Sequence, residues 1–167
     1  RSVSRGLGDV YKRQAQPHIK RLFLEDKENG ITNFRKVVNI SSTSGMFGNA
    51  GQINYATAKA GVVGMAKTMA KEWGRYNVNV NAVGFGLIKT RLTDADAEKE
   101  ESLINIEGNK IKVGVNSAVF QSAKTMIPLG RPGTPQEAAG AIYMFCIPES
   151  NYVTGQILMC HGGGFGY

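Results

Sequence analysis

A chain of 167 residues is long enough for one domain with a buried core. Its net charge of +7 is partly local: residues 1–14 carry Arg1, Arg5, Lys12 and Arg13 against Asp9, which leaves +4 scattered over the remainder. Diffuse charge without a basic stripe and interleaved aromatics argues against a nucleic-acid partner, and no apolar run nears the roughly 18 residues of a bilayer-spanning helix.

No basic, apolar leader of the secretory kind opens the chain. Cys146 and Cys160 show no CxxC or zinc-like spacing, and His18 and His161 stand far apart, so no metal site is expected. The two thiols read as core residues of a cytoplasmic protein rather than as a disulfide.

The segment "RSVSRGLGDVYKRQ", 1–14, shows no strand or helix period and reads as a non-native leader. Its "GLGD" has two glycines of a dinucleotide loop but neither a preceding strand nor a third glycine. Residues 15–25 are expected to end a helix, and "EDKENGITN" to form a polar turn. The run "KVVNIS", 36–41, is apolar between polar flanks, which suits a buried parallel strand. Gly45, Gly48 and Gly51 then predict a loop.

From Ile53 to Gly74, Ala58, Val62, Met65, Met69 and Trp73 recur at helical spacing. Gly61 and Gly64 cost this helix up to about 1 kcal/mol each against Ala, so close backbone packing is expected there. "NVNVNAV", 77–83, alternates as a second strand, and residues 94–102 are acidic. "INIEGNKIKVGV" has the Gly-Asn centre of a hairpin. In "GRPGTPQEAAGAIYMFC", Thr134 at N-cap, Pro135 at N1 and Glu137 at N3 form a capping box for a helix to about Phe145. "GQILMC", 155–160, is a last strand and "HGGGFGY" a flexible tail. Strands alternating with helices, without repeats or linkers, predict a single α/β domain over 15–167 with a mainly parallel sheet.

One pair stands out for chemistry. Tyr55 and Lys59, at i and i+4, share a helix face. An ammonium beside a phenol favours the phenolate, so such a pair suits acid–base work, although a solvated helix face carries it equally well. Ser42 closes the strand before it, and a hydroxyl at the carboxyl end of a parallel strand faces the crevice where open α/β sheets bind ligands. Ser41 and Ser44 are chemical rivals that read more simply as loop and cap hydroxyls. A nucleophilic serine is rejected, because no GxSxG is present.

Taken together, "VVNISSTSGMFGNAGQINYATAKAG", "NVNVNAVGFGLIKTRL", "MIPLGRPGTPQEAAGAIYMFC" and "NYVTGQILMCHGGG" resemble the short-chain dehydrogenase/reductase superfamily, most closely its 3-oxoacyl-[acyl-carrier-protein] reductase group. The resemblance spans about 35–167 and extends loosely over 15–34. It implies a Rossmann-like, doubly wound parallel sheet whose N-terminal half is missing here. It implies NAD or NADP as cofactor and a small-molecule carbonyl or acyl-thioester substrate. In that reading Tyr55 passes the proton, Lys59 holds the cofactor ribose and Ser42 orients the carbonyl. Ile88 and Thr90 match positions near the carboxamide and phosphates, while Asn81 and Val83 look structural. The helices near 15–25 and 53–74 imply a homodimer or homotetramer, and the hairpin near 103–114 with a helix near 117–126 implies a lid.

The chain also departs from the family pattern. Phe85-Gly86 replaces the usual Pro-Gly; Gly86 keeps the backbone freedom, while Phe85 is expected to alter the pocket wall. His161 replaces an aspartate before the terminal glycines. The glycine-rich phosphate loop, the residue that selects NAD or NADP and the catalytic asparagine's strand are expected to be absent, the asparagine's place falling near Arg5. An alternative reading is therefore a truncated or pseudo-enzyme fragment without catalysis, acting at most through oligomer contacts.

Overall fold

The computed structural model describes residues 7–90, 103–106, 109–112 and 125–164. In chain order these form α1 (Leu7–Glu28), β1 (Arg35–Ser42), α2 (Thr43–Phe47), α3 (Ile53–Trp73), β2 (Val78–Phe85), β3 (Leu103–Ile106), β4 (Asn109–Lys112), α4 (Pro135–Tyr143) and β5 (Ile157–Cys160). Strands β1, β2 and β5 make a parallel sheet in the order β1-β2-β5, and β3 pairs with β4 as the expected antiparallel hairpin.

The middle strand β2 organises both faces, because successive side chains of a strand point opposite ways. Val78, Val80 and Ala82 pack with Ala66, Met69, Ala70 and Trp73 of α3, and with the partly buried Ala15 and Ile19 of α1. Val83 packs on the other face with Ala141 of α4, with Phe145 just beyond it, and with Leu158 of β5. Helices thus cover both faces of a parallel sheet, the doubly wound arrangement expected.

Two asparagines sit within this buried strand, Asn79 at 5% and Asn81 at 1% exposure. The β5 ladder reaches only Ala82–Phe85. Before that point the loop 151–156 lies beside β2, held by the backbone bonds Gly155 N to Val80 O (2.8 Å) and Ala82 N to Gln156 O (2.9 Å) and by side chains. Asn79 Nδ2 donates to Asn151 O (3.0 Å), Asn81 Nδ2 donates to Val153 O (3.0 Å), and Asn81 Oδ1 accepts from Gln156 N (2.9 Å). The structural reading of Asn81 holds.

Several expectations change. Helix α1 begins at Leu7, inside the segment that shows no period, and runs through "EDKE", where Glu25 pairs with Arg21 one turn earlier. Among the described residues strand β1 is at the edge of its sheet, with only one side of its ladder paired, and Ile40 is 40% exposed. Gly61 and Gly64 lie on the outer side of α3, where an added Cβ would meet nothing within 4 Å. The packed stripe is Ala66, Met69, Ala70 and Trp73, and Ala58 is exposed.

Residues 161–164, the described part of the expected tail, form a turn. Gly162 and Gly163 take φ of +65° and +81°, and Gly162 O accepts from Leu129 N (3.1 Å). Both cysteines are free thiols as expected; Cys160 packs partly buried against the core, whereas Cys146 is exposed, the inward position after α4 going to Phe145. The helix expected near 117–126 lies mostly outside the described residues. Among those residues, no helix is long and apolar enough to cross a membrane.

Replacing Asn81 with Leu strands the Gln156 N–H and the Val153 carbonyl in a buried strand. The expected loss is about 2 kcal/mol of stability by urea unfolding, against less than about 0.5 kcal/mol for Lys67→Ala on the exposed side of α3.

Candidate active site

The site begins where β1 stops. Ser42 keeps extended dihedrals (φ −149°, ψ 155°) and caps α2, its Oγ accepting from Ser44 N (3.2 Å). Accepting uses an oxygen lone pair, so the hydroxyl hydrogen is still available to donate. Ser41 is 2% exposed, and its Oγ donates to Lys59 O (2.8 Å); Ser44 Oγ donates to Gln52 Oε1 (2.9 Å). The capping role expected of Ser41 and Ser44 therefore belongs to Ser42, and its two rivals tie β1 and α2 to α3.

Residues 43–47 form a short helix rather than the loop suggested by the glycines. Gly45 lies directly on the α3 backbone: a Cβ there would stand 2.6 Å from Lys59 C and 2.8 Å from Ala60 N. Only a residue without a side chain permits this approach. Sequence reasoning took Gly45 for loop punctuation, although its place three residues after a strand-ending serine was a usable signal.

Lys59 reaches across the gap that Gly45 closes. Its Nζ donates to Ile40 O (3.1 Å) and stands 5.6 Å from the centroid of the Tyr55 ring. Tyr55 itself is 46% exposed. The structure therefore brings Lys59 against Tyr55 and anchors the ammonium to β1, two residues before Ser42. Ser42 ends that strand and caps α2, which packs on α3.

The carboxyl ends of all three parallel strands meet here. Gly86, just past β2, donates its N–H to Cys160 O (3.0 Å). A Cβ on Gly86 would lie 2.7 Å from His161 Cβ, beyond β5, and 3.7 Å from Thr43 Cγ2, beyond β1. His161 Nδ1 accepts from Gly163 N (3.1 Å), which closes the terminal turn. Phe85, expected at the pocket wall, instead packs with Val83, Ala141 and Phe145 in the core, because it points to the α4 side of β2.

Ile88 forms an isolated parallel bridge with Gly133. Gly133 N donates to Leu87 O (3.0 Å) and Lys89 N donates to Gly133 O (2.8 Å). Thr90 is exposed at the end of this segment. The capping box of α4 forms as expected, with Thr134 N donating to Glu137 Oε2 (2.8 Å) and Glu137 N donating to Thr134 Oγ1 (3.2 Å). Arg131 adds a two-pronged pair to the same carboxylate, at 2.8 and 2.6 Å. The Arg131 guanidinium first, and the Thr134 N–H and hydroxyl after it, hold the Glu137 carboxyl down to about 2 from an ordinary 4.5.

Residues 27–164 match the family model described as "Enoyl-(Acyl carrier protein) reductase". The chain belongs to the short-chain dehydrogenase/reductase family. It is similar to the 3-oxoacyl-[acyl-carrier-protein] reductase FabG of Thermotoga maritima, 42% identical over 127 residues, covering 76% of this chain and 44% of that protein. The protein of the same name from Aquifex aeolicus is 38% identical over 130 residues, covering 78% and 45%. Among solved structures, a short chain dehydrogenase from Bacillus anthracis superposes with a TM-score of 0.61 at 31% identity, over 86% of this chain and 49% of that one. The chain spans about half the length of the curated relatives it matches.

Gly45→Ala forces a methyl group against the Lys59 backbone and is expected to cost about 1–3 kcal/mol in urea unfolding, as overpacking does. Glu137 supplies a pH test. Its folded-state value is depressed, so the stability it adds is present above 4.5 and lost as pH falls towards about 2. Because the pair is half-exposed, the effect is small: acid unfolding of Glu137→Gln is expected to be only slightly flatter than wild type across that window.

Proposed function

We propose that the protein carrying this chain is an oxidoreductase that uses NAD or NADP to interconvert a carbonyl and a hydroxyl, and that its substrate is a 3-oxoacyl thioester. The observation that carries this reading is the Lys59 ammonium, bonded to Ile40 O and held beside the exposed Tyr55 at the carboxyl end of β1. Open α/β sheets bind their ligands at that edge. The thioester substrate draws on relatives named for that reaction.

The residues present fit the nicotinamide–ribose end of such a cofactor. Lys59 spends one N–H on Ile40 O and has two more to offer ribose hydroxyls. Gly86 offers bare backbone at the junction of three strand ends, and Ile88 and Thr90 continue that wall. When bound, the nicotinamide supplies or accepts the hydride. Tyr55 Oη gives its proton to the carbonyl oxygen in reduction, Ser42 Oγ donates a hydrogen bond to the same oxygen, and Lys59 stabilises the phenolate left behind. The location proposed is cytoplasmic. The assembly proposed is a homodimer or homotetramer, favoured by the open strip at Gly61 and Gly64 on α3.

A second reading concerns these 167 residues alone, as a fragment that turns over no substrate. It is favoured by the unpaired outer edge of β1 among the described residues and by the half-length match to the relatives.

In the full-length protein, Tyr55→Phe is expected to lower turnover of a 3-oxoacyl thioester at least about 100-fold while NADH and NADPH affinities hold. Comparable turnover in the variant overturns the role of Tyr55. Titrating the 167-residue chain with NADH and NADPH, read by cofactor fluorescence, tests the second reading, which tight binding would defeat.

A further inference from the structure

The loop leaving β2 carries Gly86, Ile88 and Thr90, yet its course is held from outside. Gly133 grips it on both sides of Ile88, through Leu87 O and Lys89 N. Gly133 in turn lies inside a ring closed by one carboxylate. Arg131, two residues before it, donates from both terminal nitrogens to Glu137, and Thr134, the next residue, donates to Glu137 from its N–H. Glu137 belongs to α4, which Ala141 fixes to the sheet. An unbroken mechanical path therefore runs from the core through α4, Glu137 and Gly133 to the loop at the site.

The cap of α4 alone does not require Arg131. Thr134 and Glu137 already satisfy each other, and a capping box needs only those two. Among the described residues, Arg131 bonds besides Glu137 to the adjacent Pro132 O. Nor is the pair a strong source of global stability: the Arg131 and Glu137 side chains are 53% and 45% exposed, and exposed pairs contribute little. What the guanidinium does is tie the chain before Gly133 to the carboxylate that already holds the chain after it. Two parallel charge-assisted bonds fix direction as well as distance. Gly133 has no side chain to spare, since a Cβ would stand 2.7 Å from Ile88 Cδ1, so the bridge depends on where the backbone is held.

We propose that Arg131 and Glu137 are positioning residues: their clamp holds Gly133 in register with Leu87 and Lys89, and so sets how tightly the 86–90 loop closes on the nicotinamide end of the cofactor. The affinity half of this proposal rests on the nicotinamide reading above, while the loop-ordering half does not.

Arg131→Met removes the clamp, and Glu137→Gln removes its charge while keeping a residue that serves at N3 of a capping box. In the 167-residue chain, amide hydrogen exchange at Lys89 and Gly133 is expected to quicken roughly tenfold or more in Arg131→Met, with Val80 and Ala82 of β2 unchanged. Glu137→Gln should move the same two amides less, and Arg131→Lys should recover part of the protection. Unchanged exchange at Lys89 and Gly133, or a rise shared equally by β2, overturns the ordering half.

In the full-length protein, Arg131→Met is expected to raise KM for the preferred nucleotide about tenfold, with kcat within about threefold. An unchanged KM in a variant with a loosened loop overturns the affinity half. A wild-type enzyme that binds neither NADH nor NADPH overturns both the oxidoreductase reading and that half, and the exchange data still decide whether the clamp orders the loop.

Discussion

The structure turns on how Lys59 is held. Three contacts converge on this one residue: its ammonium donates to Ile40 O, its own carbonyl accepts from Ser41 Oγ, and Gly45 lies against its backbone. The first two fasten α3 to β1, and the third fastens α2 to α3. A lysine on a free helix face would sweep a wide arc of rotamers, and holding it costs side-chain entropy. Here that cost is met by a neighbourhood whose bonds are mostly backbone to side chain and therefore well placed. The consequence is an ammonium with a defined position beside the Tyr55 ring.

Around that anchor the sheet divides its labour by face and by end. One face of β2 packs on α3 and carries the larger buried cluster, including Trp73. The other face packs near α4 and is partly polar, with Asn79 and Asn81 bonded to the loop before β5. The carboxyl end gathers Ser42, Gly86 and His161 from three neighbouring strands, close enough that Gly86 has no room for a side chain. Stability and chemistry thus come from different parts of the same three strands, and the loop 86–90 is where they join.

Membership in the short-chain dehydrogenase/reductase family agrees with this geometry without being needed to see it. Where the chain departs from the family pattern, the structure shows local accommodation. Phe85, in place of a proline, turns to the core. His161, where the resemblance implied an aspartate, accepts from Gly163 N through Nδ1 and packs against Gly86.

Much of this was legible in the amino acids alone. Strand β2 announces itself by strict alternation and α3 by its 3.6-residue stripe. The start of α4 shows in Thr134, Pro135 and Glu137, because each of these signals depends on neighbours within one turn or one strand. Tyr55, Lys59 and Ser42 could be picked out by chemistry and spacing for the same reason. Tertiary structure decided the rest. It made Ser42, not Ser41 or Ser44, the cap of α2, and it turned Gly61 and Gly64 outward while pressing Gly45 inward. It also bound Gly133 to a loop more than forty residues earlier in the chain, and Arg131 to the carboxylate of Glu137. Such contacts join residues whose separation carries no period, so only packing in three dimensions selects them.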